Sequence, residues 1–245
     1  MAVQEYSTMR AKSKERFGSA SSFQGMFFKF IRAIVRVFGP KVSAPPREAF
    51  LEPAVFVCHH MNMRGPIATM AWTPTPIHPW ALAAFFNSGT LTKHFGGYTF
   101  SQRFGWPKPL AYTLAWLISF PVSLLMRSMY AVPVYRKSLQ SIKTMRVSTD
   151  ILLRDESIII YPDVNYDSDD ALLGDMYRGF LLLERAYWDK TGKHLPFIPL
   201  YYDIKVQTLK VGEPVLFPDG DMRDHMDAVY VKIRDAVNAL AEGCK

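Results

Sequence analysis

Cysteine is nearly absent from this chain, with only Cys58 and Cys244 among 245 residues. Two thiols cannot make a disulfide framework, which suits a reducing compartment. A secretory signal is also missing, because Met1–Ser22 is polar and has no apolar stretch followed by small residues suited to cleavage. Neither an internal repeat nor a low-complexity tract is visible. No aromatic-basic stacking pattern or helix-turn-helix signal supports nucleic-acid binding. Charged residues make up 21% and hydrophobic ones 49%, a balance that excludes a disordered or fibrous chain and leaves one sizeable globular domain.

What charge there is lies unevenly. Residues 1–48 hold nine Lys/Arg against three Asp/Glu, a local +6 of the total +7, which favours attraction to an anionic surface. The division predicted is a basic segment over 1–48 and an α/β domain over 49–245. Within the first, Phe23–Phe38 is 16 residues, about 24 Å as a helix, and carries three cations. It is too short and too charged to span a bilayer. Lys29, Arg32 and Arg36 fall on one stripe, with Phe27, Phe28, Phe30, Ile31, Ile34, Val35 and Phe38 around them, the pattern of a helix lying in a membrane interface. The same pattern also fits a helix packed on the domain's own core. Pro109–Met126 is the second apolar stretch, broken by Pro121 and by hydroxyl residues, and reads as a buried or membrane-facing helical hairpin.

The remainder alternates short apolar runs with helical periods, so the expected fold class is α/β, with a mixed, mostly parallel sheet flanked by helices. Ala54–Cys58, Ala131–Tyr135, Ser157–Tyr161, Phe197–Tyr202 and Thr208–Phe217 read as strands. Helices are expected where Leu139 to Leu152, Leu173 to Tyr187 and Met222 to Leu240 repeat at three- and four-residue steps.

Chemistry is sought where strands end, since open α/β sheets place ligands there. His59 and His60 follow the first strand, and histidine suits proton transfer near neutral pH. The plainer reading has one of them capping the strand and the other on the surface. A metal site would need further ligands, and neighbours after a strand point to opposite sides. Cys58 reads as a core residue rather than a nucleophile. Arg136, at the end of the second strand, offers a fork of donors matched to phosphate, although a solvated arginine is the simpler alternative. The loop Tyr161–Asp170 is rich in carboxylates; its start is similar to a calcium loop, but Ser168 replaces the turn glycine and Gly174 the closing glutamate. Asp163, directly at the strand end, is the acid expected to point inward.

Taken in order, these segments over about 50–220 resemble the glycerolipid acyltransferase superfamily, which includes the lysophosphatidic acid and glycerol-3-phosphate acyltransferases. That family's Asn-His-x4-Asp motif falls on His59-His60-Met-Asn-Met-Arg-Gly65, and its phosphate-binding arginine on Arg136 of Val132-Pro-Val-Tyr-Arg. Phe-Pro-Glu-Gly-Thr-Arg falls on Tyr161-Pro-Asp-Val-Asn-Tyr166, and a proline-centred apolar motif on Phe197-Ile-Pro199-Leu. The chain departs from the pattern at Gly65, where the family has its catalytic Asp, and at Val164 and Tyr166, where it has glycine and arginine. The first motif can also be laid on His-His-x-x-x-Asp-Gly of the condensation and chloramphenicol-type acyltransferases, with Arg64 in the place of the Asp.

Both resemblances imply acyl transfer with His60 as base. The glycerolipid resemblance, which also accounts for Arg136 and the Tyr161-Pro-Asp163 loop, implies an O-acyltransferase of phospholipid biosynthesis, peripheral on the cytoplasmic face of a membrane, that moves an acyl group from acyl-CoA or acyl-carrier protein to lysophosphatidic acid or a related lipid acceptor. Asp163 would support His60 or polarise the acceptor; Arg136, Asn62, Asn165 and His59 would bind substrate, and no cofactor or metal is expected. Lys29, Arg32, Arg36, Phe27 and Phe28 would meet an anionic membrane. A catalytically silent lipid-binding relative is the alternative that Gly65 raises.

Overall fold

The computed structural model describes residues 24–135 and 139–243. In chain order the main elements are α1 (Met26–Phe38), β1 (Val55–Cys58), α2 (Arg64–Trp72), β2 (Ile77–Leu82), α3 (Ser88–His94) and a π-helix (Phe95–Arg103). There follow α4 (Lys108–Ser128), β3 (Val132–Val134), α5 (Ser141–Leu152), β4 (Ser157–Ile160), α6 (Leu182–Thr191), β5 (Phe197–Asp203), β6 (Thr208–Val211) and α7 (Met222–Glu242). The fold is α/β, with six mostly parallel strands, as expected. The chain forms two compact units that interleave: residues up to Ile31 with Pro79–Thr144, and Arg32–His78 with Met145–Lys245. The sequence reading instead divides the chain at residue 48.

The second unit carries the sheet that matters for chemistry. β1 lies between β4 and β5, parallel to both, with Val57 opposite Ile160 on one side and Cys58 opposite Leu200 on the other. All residues of β1, β4 and β5 are buried. Central parallel strands are covered on both faces, so they read as unbroken apolar runs without alternation. Ala54, Phe56 and Cys58 point to one face and pack with Phe50, Ile77, Ile159, Ile198 and Leu200. Fully burying a side chain such as Phe56 contributes about 1.5–3 kcal/mol. β6 closes the edge antiparallel to β5; α2 and α7 pack on this sheet.

In the first unit, β2 and β3 pair in parallel, with Trp80 opposite Val132 and Leu82 opposite Val134. Against α3 and the π-helix packs α4, one continuous helix of 21 residues rather than the expected hairpin. Pro121 lacks the N–H that would bond the carbonyl four residues back, yet the helix continues through it. Three further expectations change. The helix sought over Leu173–Tyr187 starts only at Leu182, because Asp163 forms a β-bridge with Met176 and holds the earlier part extended. The strand sought over Thr208–Phe217 stops at Val211, beyond which Val215 returns as a bridge to Phe197. β2, α2, α3 and the π-helix have no counterpart in the sequence reading.

The residues expected to face lipid on α1 are also turned. Phe28 is buried and Phe27 half-buried. Arg32 donates to the carbonyls of Ala71 and Thr73, and Arg36 donates to Ala71 at 2.7 Å with its guanidinium 5.4 Å from the Trp72 ring. These carbonyls belong to the open C-terminal turn of α2, which attracts cations and lacks intrahelical donors. Burial, and then the neighbouring charge of Arg36, bring the Arg32 pKa down to about 10. Lys29 is half-buried. The large apolar side chains that α1 leaves exposed are Met26, Phe30, Ile34, Val37 and Phe38, and Arg36 is exposed among them.

Candidate active site

Register brings the site together. Because Val57 and Ile160 stand side by side, β1 and β4 end together, and the residues that follow each meet beyond the sheet. Asp163 is buried there and accepts the backbone N–H of His60 on both oxygens, at 3.0 and 3.1 Å. Its Oδ1 also contacts Nδ1 of His59. The ring of His59 is buried as well, and its Nε2 lies 2.9 Å from the carbonyl oxygen of Asp170. A carbonyl only accepts, so Nε2 is the donor in that contact. His59 is thereby committed on both nitrogens to holding the Asp163–Asp170 loop against the end of β1. Its expected substrate-binding role is replaced by a structural one.

His60 is different. Its ring is half-buried and stands edge-on to Tyr161 and Tyr166, each at 5.9 Å between centroids. The backbone N–H of Met63 donates to its Nδ1 at 3.3 Å, so in this arrangement the free lone pair of the neutral ring is on Nδ1 and the proton on Nε2. Burial lowers the His60 pKa below the usual histidine value, against the upward pull of Asp163, of a hydrogen bond to the Tyr166 backbone and of Asp167. A neutral imidazole whose basic nitrogen is held only by a long hydrogen bond can take a proton from a group that displaces that bond. Asp163 therefore does support His60, but through its backbone rather than its ring.

The turn after His60 is strained. Met61, Asn62 and Met63 all adopt left-handed conformations, with φ of 45°, 48° and 73°. Such residues carry of order 1–3 kcal/mol each and collect at functional sites. The turn tightens to Gly65, whose N–H bonds the His60 carbonyl at 3.1 Å. A Cβ at Gly65 would lie 2.0 Å from the His59 carbonyl oxygen, so no side chain fits at the position of the family's catalytic Asp. Thr69 and Tyr161 complete the wall: Thr69 donates to the Gly65 carbonyl at 2.8 Å and accepts a hydrogen bond from the Tyr161 hydroxyl at 2.6 Å. Burial raises the Tyr161 pKa well above its usual value, and likewise that of Cys58, which excludes a ready thiolate.

Asn62 is half-buried beside this turn, with no side-chain hydrogen bond among the described residues. Asn165 is exposed and shapes its loop by accepting the Ser168 N–H on its carbonyl. Arg136 lies outside the described residues, as does Phe23 at the expected start of the first helix. Among the described residues no His, Cys, Asp and Glu group has the makings of a metal site. Sequence reasoning missed Tyr166 and Asp167, which flank His60, and the role of Gly65; only a residue-by-residue alternation beyond the strand end would have pointed to the first two. Compared with protein-family models, curated proteins and solved structures, the chain shows no match.

Proposed function

We propose that the chain is an acyltransferase in which Nδ1 of His60 removes the proton from an acceptor hydroxyl. The hydroxyl oxygen then attacks the thioester carbonyl of an acyl-CoA or acyl-carrier protein donor. As the tetrahedral intermediate collapses, the C–S bond breaks and the imidazolium returns the proton to the leaving thiolate, so an ester and a free thiol result. The observation that carries this reading is the half-buried His60 ring with a lowered pKa at the carboxyl end of a parallel sheet, its backbone fixed by Asp163. A neutral base near pH 7 suits such transfer. Asp163 acts as a positioning residue, and Asn62, with an unused amide next to the turn, is the group proposed to meet the acceptor. The lipid class of the acceptor rests on the motif resemblance and on the apolar exposed helices.

One observation favours a second reading: no side chain fits at Gly65, so the ring carboxylate of the family's dyad is absent from its usual place. A silent lipid-binding relative would have that feature too. Incubation of the purified chain with a long-chain acyl-CoA and lysophosphatidic acid, read by mass spectrometry for new phosphatidic acid, separates the two. Product that disappears in His60→Ala supports transfer. Tight lysolipid binding without product in either protein would replace the enzyme with a binder.

A further inference from the structure

The apolar helix of the first unit is built inside out. Along α4 the buried positions are Ala111, Ala115, Ser119 and Ser123, small residues four apart, of which Ala111 and Ala115 pack with the π-helix side chains Phe95 and Phe100. Leu114 and Ile118 flank that contact, but the other large side chains point away: Leu110, Trp116, Leu117, Phe120 and Leu124 are exposed, with Trp116 and Phe120 each at 68%. In water a helix places its large apolar residues inward. Small residues inward and large ones outward is the arrangement used where the surroundings are hydrocarbon. Between Lys108 and Arg127, the outermost cations of α4, every residue is uncharged, and an 18-residue stretch of the helix has a mean hydropathy of 1.6.

Charge is segregated with it. From Pro53 to Thr149 the chain contains no Asp or Glu, while Arg64, Lys93, Arg103, Lys108, Arg127, Arg136, Lys137, Lys143 and Arg146 lie in that stretch. At the N-terminal end of α4, exposed Arg103 and Lys108 stand with exposed Phe104 and Trp106, and the Arg103 guanidinium sits 5.7 Å from the Phe104 ring. Cations with aromatics at headgroup depth, next to an apolar face, match an anionic leaflet. A second copy is a poor occupant, because an isologous contact would set these cations against each other with no acid in the tract to offset them. We propose that α4 lies in the plane of an anionic leaflet, its Leu110–Leu124 face in the acyl layer and its Arg103–Lys108 end among the headgroups. This names the surface by which the proposed enzyme meets lipid, and it deepens that reading without resting on catalysis.

Binding, not turnover, tests it. The full chain is sedimented with phosphatidylcholine vesicles, with or without phosphatidylglycerol, alongside the double variant Leu117→Glu/Phe120→Glu. The parent should bind anionic vesicles at least tenfold more tightly than neutral ones and lose that preference in high salt, and the variant should bind at least tenfold more weakly. Quenching of Trp116 fluorescence by lipids brominated in the acyl chain, with Trp116→Phe as control, reports insertion in the parent even where the variant misfolds. Absence of anionic binding, unchanged binding by a folded variant, or bound protein without Trp116 quenching would overturn the proposal. A parent dimer that the substitutions dissociate, with no vesicle binding, would assign the face to self-association. Vesicle binding by a chain that forms no ester leaves this surface standing and removes the enzyme reading alone.

Discussion

Asp163 holds His60 by the main chain, accepting its N–H on both oxygens at 3.0 and 3.1 Å, while the same carboxylate grips the ring of the preceding residue, His59. One buried acid thus fixes two successive residues at the end of β1. Asp163 supports the proposed base through its backbone N–H and not through a ring-to-carboxylate bond.

Asp163→Asn should therefore act first on stability. It weakens a buried His–carboxylate contact and offers an amide in place of a second acceptor oxygen to the His60 N–H. Breaking a buried pair in this way costs about 3–5 kcal/mol, to be seen as a fall in the urea midpoint with an unchanged denaturant slope. A variant as stable as the parent would show that the pair contributes little.

His60→Ala should leave stability within about 2 kcal/mol, since the half-buried ring carries the long bond from Met63 and one to the Tyr166 backbone. Acyl transfer should fall by at least about a hundredfold. In the parent, a lowered His60 pKa means that the neutral base persists into mildly acidic solution, so kcat/KM should fall only as pH drops below the ordinary histidine value of about 6.5. A rate that falls at a pH above that value would assign the base elsewhere.

Gly65→Ala should be damaging out of proportion to one methyl group, because its Cβ meets the His59 carbonyl oxygen. Overpacking of this kind costs about 1–3 kcal/mol, and backbone contact puts this site at the upper end. Gly65→Asp, which would restore the family's motif in sequence, should unfold or inactivate the chain instead of raising its activity. Thermal melts of both variants beside transfer assays provide the check.

His194 gives a pH signature far along the chain from the site. Its Nδ1 lies 2.7 Å from Glu184 and its Nε2 3.1 Å from Asp219. Burial lowers its pKa, but the hydrogen bonds and charges of the two acids outweigh that and the net shift is upward. The stabilisation is thus complete below the ordinary histidine pKa and disappears as pH rises through the raised one. Unfolding titrations from about pH 6 to 9 should show the parent losing stability that His194→Gln, flatter over the same window, does not.

Much of the sheet was legible because buried parallel strands are unbroken apolar runs: Val55–Cys58 and Ser157–Ile160 lie within a residue of where composition puts them. Asp163 was legible for the same reason, as the first acid after a buried strand. Which histidine it serves was not, since the side chain takes His59 and the backbone His60, a division set by three left-handed residues that no composition signals. The stripe Lys29, Arg32 and Arg36 shows a different limit. Helical spacing gives a face but not its direction, and here two of these cations serve the carbonyl end of α2. The near-neutral sum over residues beyond 48 likewise conceals a long acid-free tract balanced by acids at its flanks.

The start of α1 depends on a residue made long after it. Gly25 donates its N–H to the Ser128 carbonyl at 2.7 Å, and Phe28 donates to the Ser128 hydroxyl at 2.8 Å across 100 positions. During translation at about 5–20 residues per second, α1 leaves the ribosome roughly 5–20 s before the group that completes its first turn. For that interval Phe28 has no pocket and the helix is an apolar segment open to chaperones or to a nearby bilayer. Order of synthesis, as much as final contact, then governs when this end of the chain is covered.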